Sequence, residues 1–315
     1  MIKSNTQKDF DVIQMDDHVK KVISSITYNF NEYFKKISGA SESGPYAEAK
    51  QKLFWQETVD NYINDYDKEC KSYRNLFSEE ELEETLENDD PKAFKKELTQ
   101  KCPIIRKSIM SSMKELQEWK EAFAQSVPQE LLETFLNFLD YARDYMDEID
   151  SSAYEVYSKK EDFENLYEFS NDPDLSMQRV VGAGIKTSIL YYLNAEYFNK
   201  SVRRNLYGLH FLTLDLHERM PSRTSEFTMI DDTKIYKEER GSKNNYTIEH
   251  NYWYPYNLFM FYSKLIYNSL KIKLKPLGIN TQPKYRYVYV TMFLELIINE
   301  HKEAVRTMMG GDQEF

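Results

Sequence analysis

Apolar residues recur every three or four positions along most of the first half of the chain. Over residues 10–37 this spacing predicts one amphipathic helix, which a segment containing Gly, Ser and Pro at 38–45 ends. A second helix is predicted from about Tyr46, because its apolar positions keep the same period. Two more are predicted behind prolines, over residues 104–124 and 129–149. We therefore expect about five or six helices here, as a bundle or an elongated arm.

Polar residues mark where two further helices begin. Ser78 and Glu81 have the spacing of a capping box, in which each side chain satisfies a backbone N–H of the first helical turn. Asp90 before Pro91 fits an N-cap followed by the first helical position. Short helices are therefore predicted after Ser78 and after Asp90.

A polar, turn-forming segment at residues 170–176 predicts a boundary between two domains, 1–170 and 177–315. Short alternating pieces at about 225–250 predict a small antiparallel β ribbon in the second domain. Helical periodicity covers most of the remainder, over about 185–198, over 202–216 and from about Tyr287 onward.

Aromatic residues concentrate in residues 245–275, hereafter the aromatic segment. Eight aromatic side chains, including Trp253, Phe259 and Tyr262, lie between Tyr252 and Tyr267. Because each buries a large area when packed, we expect a buried helix at the centre of the core. The predicted fold class is mostly α: an acidic helical bundle or arm, followed by an aromatic-rich helical domain with the β ribbon.

Charge is divided unevenly along the chain. Residues 1–150 contain 20 basic and 31 acidic residues, whereas residues 151–315 contain 21 of each. Phosphate binding requires clustered Lys and Arg, so we do not expect duplex nucleic acid to bind the first half. A basic protein surface would be attracted to it. A protein partner, or a second copy of the chain, is therefore predicted.

Two cysteines and the apolar runs limit the class of protein further. Cys70 and Cys102 have no closely spaced partner, which argues against a cysteine zinc cluster. Every apolar run is shorter than the roughly 20 residues of a membrane span, and the start has no apolar leader segment. We therefore predict a cytoplasmic protein with no membrane partner and no cofactor.

One segment, residues 201–218, has the pattern of a catalytic motif. Arg204, Asn205 and then His210 resemble the Arg-polar-x-x-x-x-His pattern of HEPN-family ribonucleases, which are helical proteins common among toxins and phage-defence systems. The resemblance covers about seven residues, and it implies metal-independent RNA cleavage by Arg and His, usually paired across a dimer. Arg would stabilise phosphate charge and His would move a proton.

Helix geometry favours a structural interpretation of the same residues. On a regular helix Arg204 and His210 lie about 240° apart, whereas Arg203, His210 and His217 share a face. Such residues commonly border an apolar stripe, where they are solvated. Ligand pairs on a helix lie three or four positions apart, so the seven-residue spacing of His210 and His217 predicts no metal.

The leading hypothesis is a non-catalytic interaction or oligomerisation protein with an acidic helical docking surface. The alternative is a HEPN-like ribonuclease using Arg204 and His210 with Asn205 in support, for which RNA would be the partner. A richness in Lys, Asn and Tyr is compatible with a component of a bacterial or phage conflict system under either hypothesis.

Overall fold

The computed structural model describes residues 7–39, 45–88, 90–113, 116–149, 151–213, 220–221, 226–228, 230–231, 235–237, 246–248, 251–252 and 254–308. Most of these residues are in helices, so the predicted mostly α class is confirmed. Trp253, His217 and most of the predicted β ribbon lie outside the described residues.

The first half of the chain forms a succession of helices. They are α1 (Gln7–Ile13), α2 (Asp16–Ile37), α3 (Pro45–Leu76), α4 (Glu79–Asn88), α5 (Pro91–Lys101), α6 (Pro103–Met110), α7 (Gln117–Gln125), α8 (Pro128–Glu148), α9 (Ser151–Val156) and α10 (Leu166–Asn171). The single helix predicted over 10–37 is therefore wrong: extended backbone at Met15 separates α1 from α2. The helix predicted over 104–124 is likewise divided, because extended backbone at Ser111 ends α6.

Helix starts in this half follow the predicted local chemistry. The Ser78 hydroxyl accepts a hydrogen bond from the Glu81 N–H at 3.3 Å, and α4 begins at the next residue. The Asp90 carboxylate accepts from the Ala93 N–H at 3.0 Å, and Pro91 is the first residue of α5. Both predicted starts are confirmed. Each satisfies a backbone donor that has no intrahelical partner.

The second half contains α11 (Ala183–Leu193), α12 (Arg203–Leu212), α13 (Tyr256–Leu274), α14 (Arg286–Glu300) and α15 (Lys302–Met308). Short strands are β1 (Ile230–Asp231), β2 (Ile235–Lys237), β3 (Tyr246–Ile248) and β4 (Asn251–Tyr252). Strand β1 pairs antiparallel with β4, and β2 with β3. These pairs of two and three residues do not establish the predicted ribbon over about 225–250, which stays a prediction.

Helix α13 lies at the centre of the core, as the aromatic segment predicts. Phe259, Tyr262 and Tyr267 are fully buried on it. Helix α14 packs against it and is also buried on nearly all sides from Arg286 to Leu294. A helix that is buried all round has no polar face. Its apolar residues therefore show no clear helical period, and the start of α14 resembles an alternating strand in sequence.

The helices of the first half pack directly on this centre. Helix α2 contacts α12, α13 and α14, and α3 contacts α11 and α14. Trp55 of α3 stacks on Phe34 of α2 with ring centroids 4.4 Å apart, and its ring lies 6.4 Å from that of Phe293. One continuous apolar cluster includes residues from Ile13 to Val305. This cluster includes residues on both sides of positions 170–176. The domain boundary predicted there stays a prediction.

Among the helices that the structure describes, none combines the length and the apolar character that crossing a membrane requires.

Candidate functional site

Helix α12 carries the three residues of the predicted motif, and it packs closely on α14. A β-carbon added at Gly208 would lie 2.7 Å from Leu294 Cβ and 2.9 Å from the Leu294 carbonyl oxygen. The absence of a side chain at Gly208 therefore allows the two helices to approach. The opposite ends of α12 contact different polar groups.

The structure places the three predicted site residues in different environments. Arg204 is exposed in the first turn of α12, Asn205 is fully buried, and His210 is half-buried in the last turn. Six residues of helix separate Arg204 from His210 by about 9 Å along the axis and about 240° around it. The fold of one chain therefore does not bring them to a common face, and their joint role stays a hypothesis.

Asn205 belongs to a buried polar network that joins three helices. Its Nδ2 donates to the Lys200 carbonyl oxygen at 3.0 Å and to Thr291 Oγ1 of α14 at 3.2 Å. Thr291 Oγ1 donates in turn to Asn199 Oδ1 at 3.0 Å, and Asn199 Nδ2 donates to Ser263 Oγ of α13 at 2.9 Å. Buried polar groups with such partners order the elements that carry them. Asn205 thus fixes the start of α12 against the core.

His210 lies beside a second histidine at the far end of the helix. The ring of Phe211 stacks on that of His301 at 4.2 Å, and the Tyr33 hydroxyl lies 2.6 Å from His301 Nε2. Burial, together with the charge of His301, lowers the pKa of His210 to about 4. The imidazole is therefore neutral at physiological pH, and it is a weaker base than an ordinary histidine.

A polar cluster that was not predicted lies at the start of α12. Lys200 precedes the helix, and its side chain is only 16% exposed. Its Nζ lies 3.6 Å from Glu295 Oε1 of α14, and 5.1 Å from the centre of the Tyr191 ring. The Tyr62 hydroxyl donates to the other oxygen of Glu295 at 3.1 Å. The Lys200 ammonium also lies 5.8 Å from the centre of the Tyr192 ring, and it is close enough to Arg204 for that charge to lower its pKa. We call Lys200, Arg204, Glu295, Tyr62 and Tyr192 the Lys200 cluster.

The Lys200 cluster continues toward α3 and α6 through a second carboxylate. The Tyr192 hydroxyl donates to Glu69 Oε2 at 2.8 Å, and Lys107 donates to Glu69 Oε1 at 2.5 Å. Burial lowers the pKa of Lys200 and the charge of Arg204 lowers it further, whereas Glu295 and Glu69 act in the opposite direction. Perturbed ionisation in a partly exposed polar group is typical of functional sites.

A surface of a different kind runs along α8. The side chains of Glu130, Glu133, Asp140, Asp144 and Asp147 are exposed and recur at intervals that place them on one side of the helix. We call these five residues the acidic stripe. From Glu130 to Asp147, which is 18 residues of helix, it extends about 25 Å. Arg143, which forms an ion pair with Asp140 at 3.3 Å, is the one basic residue of α8.

Within the described part of the chain, no group of three or more His, Cys, Asp or Glu side chains is arranged to hold a metal ion.

Comparisons with protein family models, with curated proteins and with solved structures find no match to this chain.

Proposed function

We propose that the protein is a non-catalytic interaction protein that docks a basic surface, of another protein or of a second copy, on the acidic stripe of α8. The observation that carries this proposal is the stripe itself: five exposed carboxylates on one side of a helix that contains a single basic residue. Opposite charges across an interface increase the association rate and select the partner.

The position of the charges along α8 adds a second reason. Asp144 and Asp147 lie near its C-terminal end, where the helix dipole is negative and carboxylates are unfavourable. The last turn contains no basic residue that would offset this repulsion. A basic partner bound along the stripe would offset it. The stripe therefore costs folding stability in the free protein and gains it in the complex.

Helix α4 carries a second group of exposed carboxylates. Its glutamates Glu80, Glu83 and Glu87 are exposed, and its last turn also lacks a basic residue. Phe77, just before α4, stacks at 5.7 Å on Phe135, which lies on the buried side of α8, opposite the stripe. The α4 glutamates are therefore a separate acidic surface, and the docking proposal rests on the stripe alone.

The test uses the full-length protein and a lysine-rich helical peptide as the basic probe. We expect the peptide to bind the unmodified protein, and the triple variant Glu133→Gln, Asp140→Asn, Asp144→Asn to bind it at least tenfold more weakly. The affinity should also fall steeply between about 50 and about 300 mM salt, because exposed charges are screened. Isothermal titration calorimetry measures both effects.

A second triple variant, with the same net charge as the first, controls for non-specific attraction of the basic peptide. Glu57→Gln, Asp60→Asn, Asp65→Asn removes three exposed carboxylates from α3 and should leave peptide affinity nearly unchanged. Equal weakening by the two triple variants, or an affinity indifferent to salt, would refute the docking surface. Sedimentation velocity of the same proteins shows whether the partner that occupies the stripe is a second copy.

The second candidate function is metal-independent RNA cleavage by Arg204 and His210. One observation favours it: Arg204 is exposed, where its guanidinium can reach an RNA phosphate. The pKa of His210, lowered to about 4, opposes it, because so weak a base takes up a proton poorly at neutral pH. Since one chain separates the two side chains around α12, the active unit would require two copies that bring Arg204 of one near His210 of the other.

RNA cleavage in the presence of a chelator tests this candidate. We expect RNA to be degraded by the unmodified protein and preserved by His210→Ala and by Arg204→Ala. Equal degradation by all three proteins, or none by any, removes the nuclease proposal.

A role in a bacterial or phage conflict system stays a prediction, and plaque counts on cells with and without the protein would check it.

A further inference from the structure

Three cations share one carboxylate where α9, α13 and α14 meet. Arg286 of α14 donates to Glu155 Oε1, and Lys271 of α13 donates to Glu155 Oε2 at 3.0 Å. Lys264 of α13 donates to the Glu155 backbone carbonyl oxygen at 3.1 Å. Among the described residues, these are the charges that act on Lys264. We call Glu155, Lys264, Lys271 and Arg286 the Glu155 cluster, in which three positive charges meet one negative charge.

The buried members of the Glu155 cluster also have more donors than acceptors. Lys264 and Arg286 are fully buried. The second hydrogen bond of Lys264 goes to a neutral group, Asn268 Oδ1, at 3.4 Å. Arg286 Nε is a buried donor that meets no acceptor among the described residues. Because buried charges and donors are unfavourable until they are paired, a further anion at this place would stabilise the cluster.

The surroundings of the two buried cations favour a small, uncharged precursor of that anion. The Lys264 ammonium lies 5.7 and 5.5 Å from the ring centres of Tyr154 and Tyr267, and the Arg286 guanidinium lies 4.6 and 5.5 Å from the same centres. A hydrated anion would lose its water beside these rings. The carboxylate and the remaining lysine of the cluster are 29% and 51% exposed, so the path from solvent is short.

Lys264 is also the nucleophile of the cluster. Burial lowers its pKa to about 8, and the charges of Arg286 and Lys271 lower it further, whereas the charge of Glu155 raises it. Near pH 8 a large fraction of the folded chains therefore holds a neutral amine, whose lone pair can attack a carbon atom. An ordinary lysine, with a pKa of about 10.4, holds hardly any.

We propose that Lys264 reacts reversibly with carbon dioxide to form a carbamate within the Glu155 cluster. The lone pair of the neutral Nζ forms a bond to the carbon, one C=O electron pair moves to its oxygen, and Nζ releases one proton to solvent. A positive group thereby becomes a negative one, so that two cations then face two anions.

The neighbours of Lys264 can hold both parts of the carbamate. Its remaining N–H can still donate to the Glu155 carbonyl oxygen. The side-chain amide of Asn268 can turn so that its NH₂ group, instead of its oxygen, meets the new carboxylate. This modification depends neither on the acidic stripe of α8 nor on RNA cleavage.

Carbon NMR of the full-length protein in isotopically labelled bicarbonate at about pH 8 tests the proposal. The α-amino group, whose pKa is also about 8, forms a carbamate of its own and serves as the internal reference. We expect two carbamate signals from the unmodified protein and one from Lys264→Met. The control Lys284→Gln removes an exposed lysine and should keep both signals.

A second variant tests the cluster without removing the reacting amine. Lys271→Gln deletes its exposed cation, which both stabilises the carbamate and keeps the Lys264 amine neutral. We expect half-modification of Lys264 to require roughly tenfold more carbon dioxide in this variant, as the loss of one nearby charge predicts. Circular dichroism of each variant shows that it is folded, and Lys271→Gln decides the question where Lys264→Met fails to fold.

Each outcome decides the proposal. It is refuted when the unmodified protein gives the α-amino signal alone, or when folded Lys264→Met keeps both signals. It is also refuted when Lys271→Gln responds to carbon dioxide in the same way as Lys284→Gln. Stabilisation of the unmodified protein by bicarbonate without a second carbamate signal would show non-covalent anion binding instead, and would likewise overturn it.

Discussion

Arg286, at the start of α14, is a fully buried cation whose environment requires an arginine. One end of its guanidinium donates to the Glu196 carbonyl oxygen and the other to the Glu155 carboxylate. The same group lies 4.6 Å above the centre of the Tyr154 ring and 5.5 Å from that of Tyr267. A planar guanidinium can donate to both oxygens and stack on the tyrosine rings at the same time, and an ammonium cannot.

We therefore expect Arg286→Lys to lower the free energy of unfolding by about 2–4 kcal/mol, although it keeps the charge. Urea unfolding followed by circular dichroism measures the change. Lys284→Gln, two positions earlier and exposed, is the control and should stay within about 0.5 kcal/mol of the unmodified protein. Similar midpoints for the two variants would show that the guanidinium geometry is dispensable.

Lys264 is a second buried cation beside Arg286, and its ionisation affects stability. Its ammonium donates to the Glu155 carbonyl oxygen at 3.1 Å and to Asn268 Oδ1 at 3.4 Å, below the rings of Tyr154 and Tyr267. Burial lowers the pKa of Lys264 to about 8. The charges of Arg286 and Lys271 also lower this pKa, whereas the charge of Glu155 raises it.

The sign of the pH effect follows from this lowered pKa. Above about pH 8 the folded protein releases the Lys264 proton, while the unfolded chain keeps it until about pH 10.4. The unfolded state then binds more protons, so the contribution of Lys264 to stability rises with pH. We expect the difference in unfolding free energy between the unmodified protein and Lys264→Met to rise from about pH 7 to about pH 9.5. A constant difference would contradict the shift.

Local chemistry of single residues could be predicted from sequence, and long-range pairing could not. Asp90 caps the turn that follows it, so its role is contained in neighbouring positions. Lys200 and Glu295 lie 95 positions apart, and no spacing rule connects them. The Lys200 cluster is therefore visible only in the folded chain, although Arg204 within it was selected from the motif.

At the scale of elements, the close contact between α12 and α14 depends on Gly208. Alanine normally stabilises a helix relative to glycine by about 1 kcal/mol. At this position the added β-carbon would lie within 2.7 Å of Leu294 Cβ and would press the helices apart. We expect Gly208→Ala to lower the free energy of unfolding by about 1–3 kcal/mol, since overpacking outweighs propensity.

Gly184, near the start of α11, is the matched control for this prediction. A β-carbon there would meet no atom within 4 Å, so Gly184→Ala should leave stability unchanged or raise it by up to about 1 kcal/mol. Chemical unfolding of both variants under the same conditions makes the comparison. Equal changes in the free energy of unfolding for the two variants would mean that α12 and α14 can move apart without loss of stability.

Element boundaries were predictable where a side chain or proline marks them, as at α4, α5 and α8. They were missed where backbone conformation alone interrupts a continuing apolar period, as at Met15 between α1 and α2. Burial explains the difficulty at α14, because a helix enclosed on all sides shows no polar face to set its period. The aromatic composition still located α13 correctly, since so many rings require a core.

At the scale of the molecule, buried tyrosines connect the first half of the chain to the second. Tyr66 of α3 donates to the Tyr191 carbonyl oxygen of α11 at 3.2 Å, and Tyr62 of α3 donates to the Glu295 carboxylate of α14 at 3.1 Å. The distribution of charged residues along the sequence does not reveal such contacts, because it does not show which residues pack together. The two halves differ in net charge while they share one apolar core.

Burial raises the pKa of these tyrosines far above its ordinary value of 10, with Tyr154, Tyr191 and Tyr256 among the groups affected. Below pH 10 these tyrosines are neutral in both the folded and the unfolded state, and their full contribution to stability is present. Above it the unfolded chain releases protons that the folded protein retains, so the free energy of unfolding falls as pH rises. We expect cooperative alkaline unfolding, in which tyrosinate absorbance and loss of helical circular dichroism follow the same curve for these buried groups.

Two variants distinguish buried from surface tyrosines in that experiment. Tyr28 and Tyr46 are 71% and 85% exposed, so replacing both with Phe should leave the pH of unfolding unchanged. Tyr191→Phe removes one group that must ionise for the unfolded state to be favoured, and it should make the loss of stability with pH less steep. Tyrosinate forming from Tyr191 while the helices stay intact would show that this core admits hydroxide and that α3 and α11 are not tightly packed.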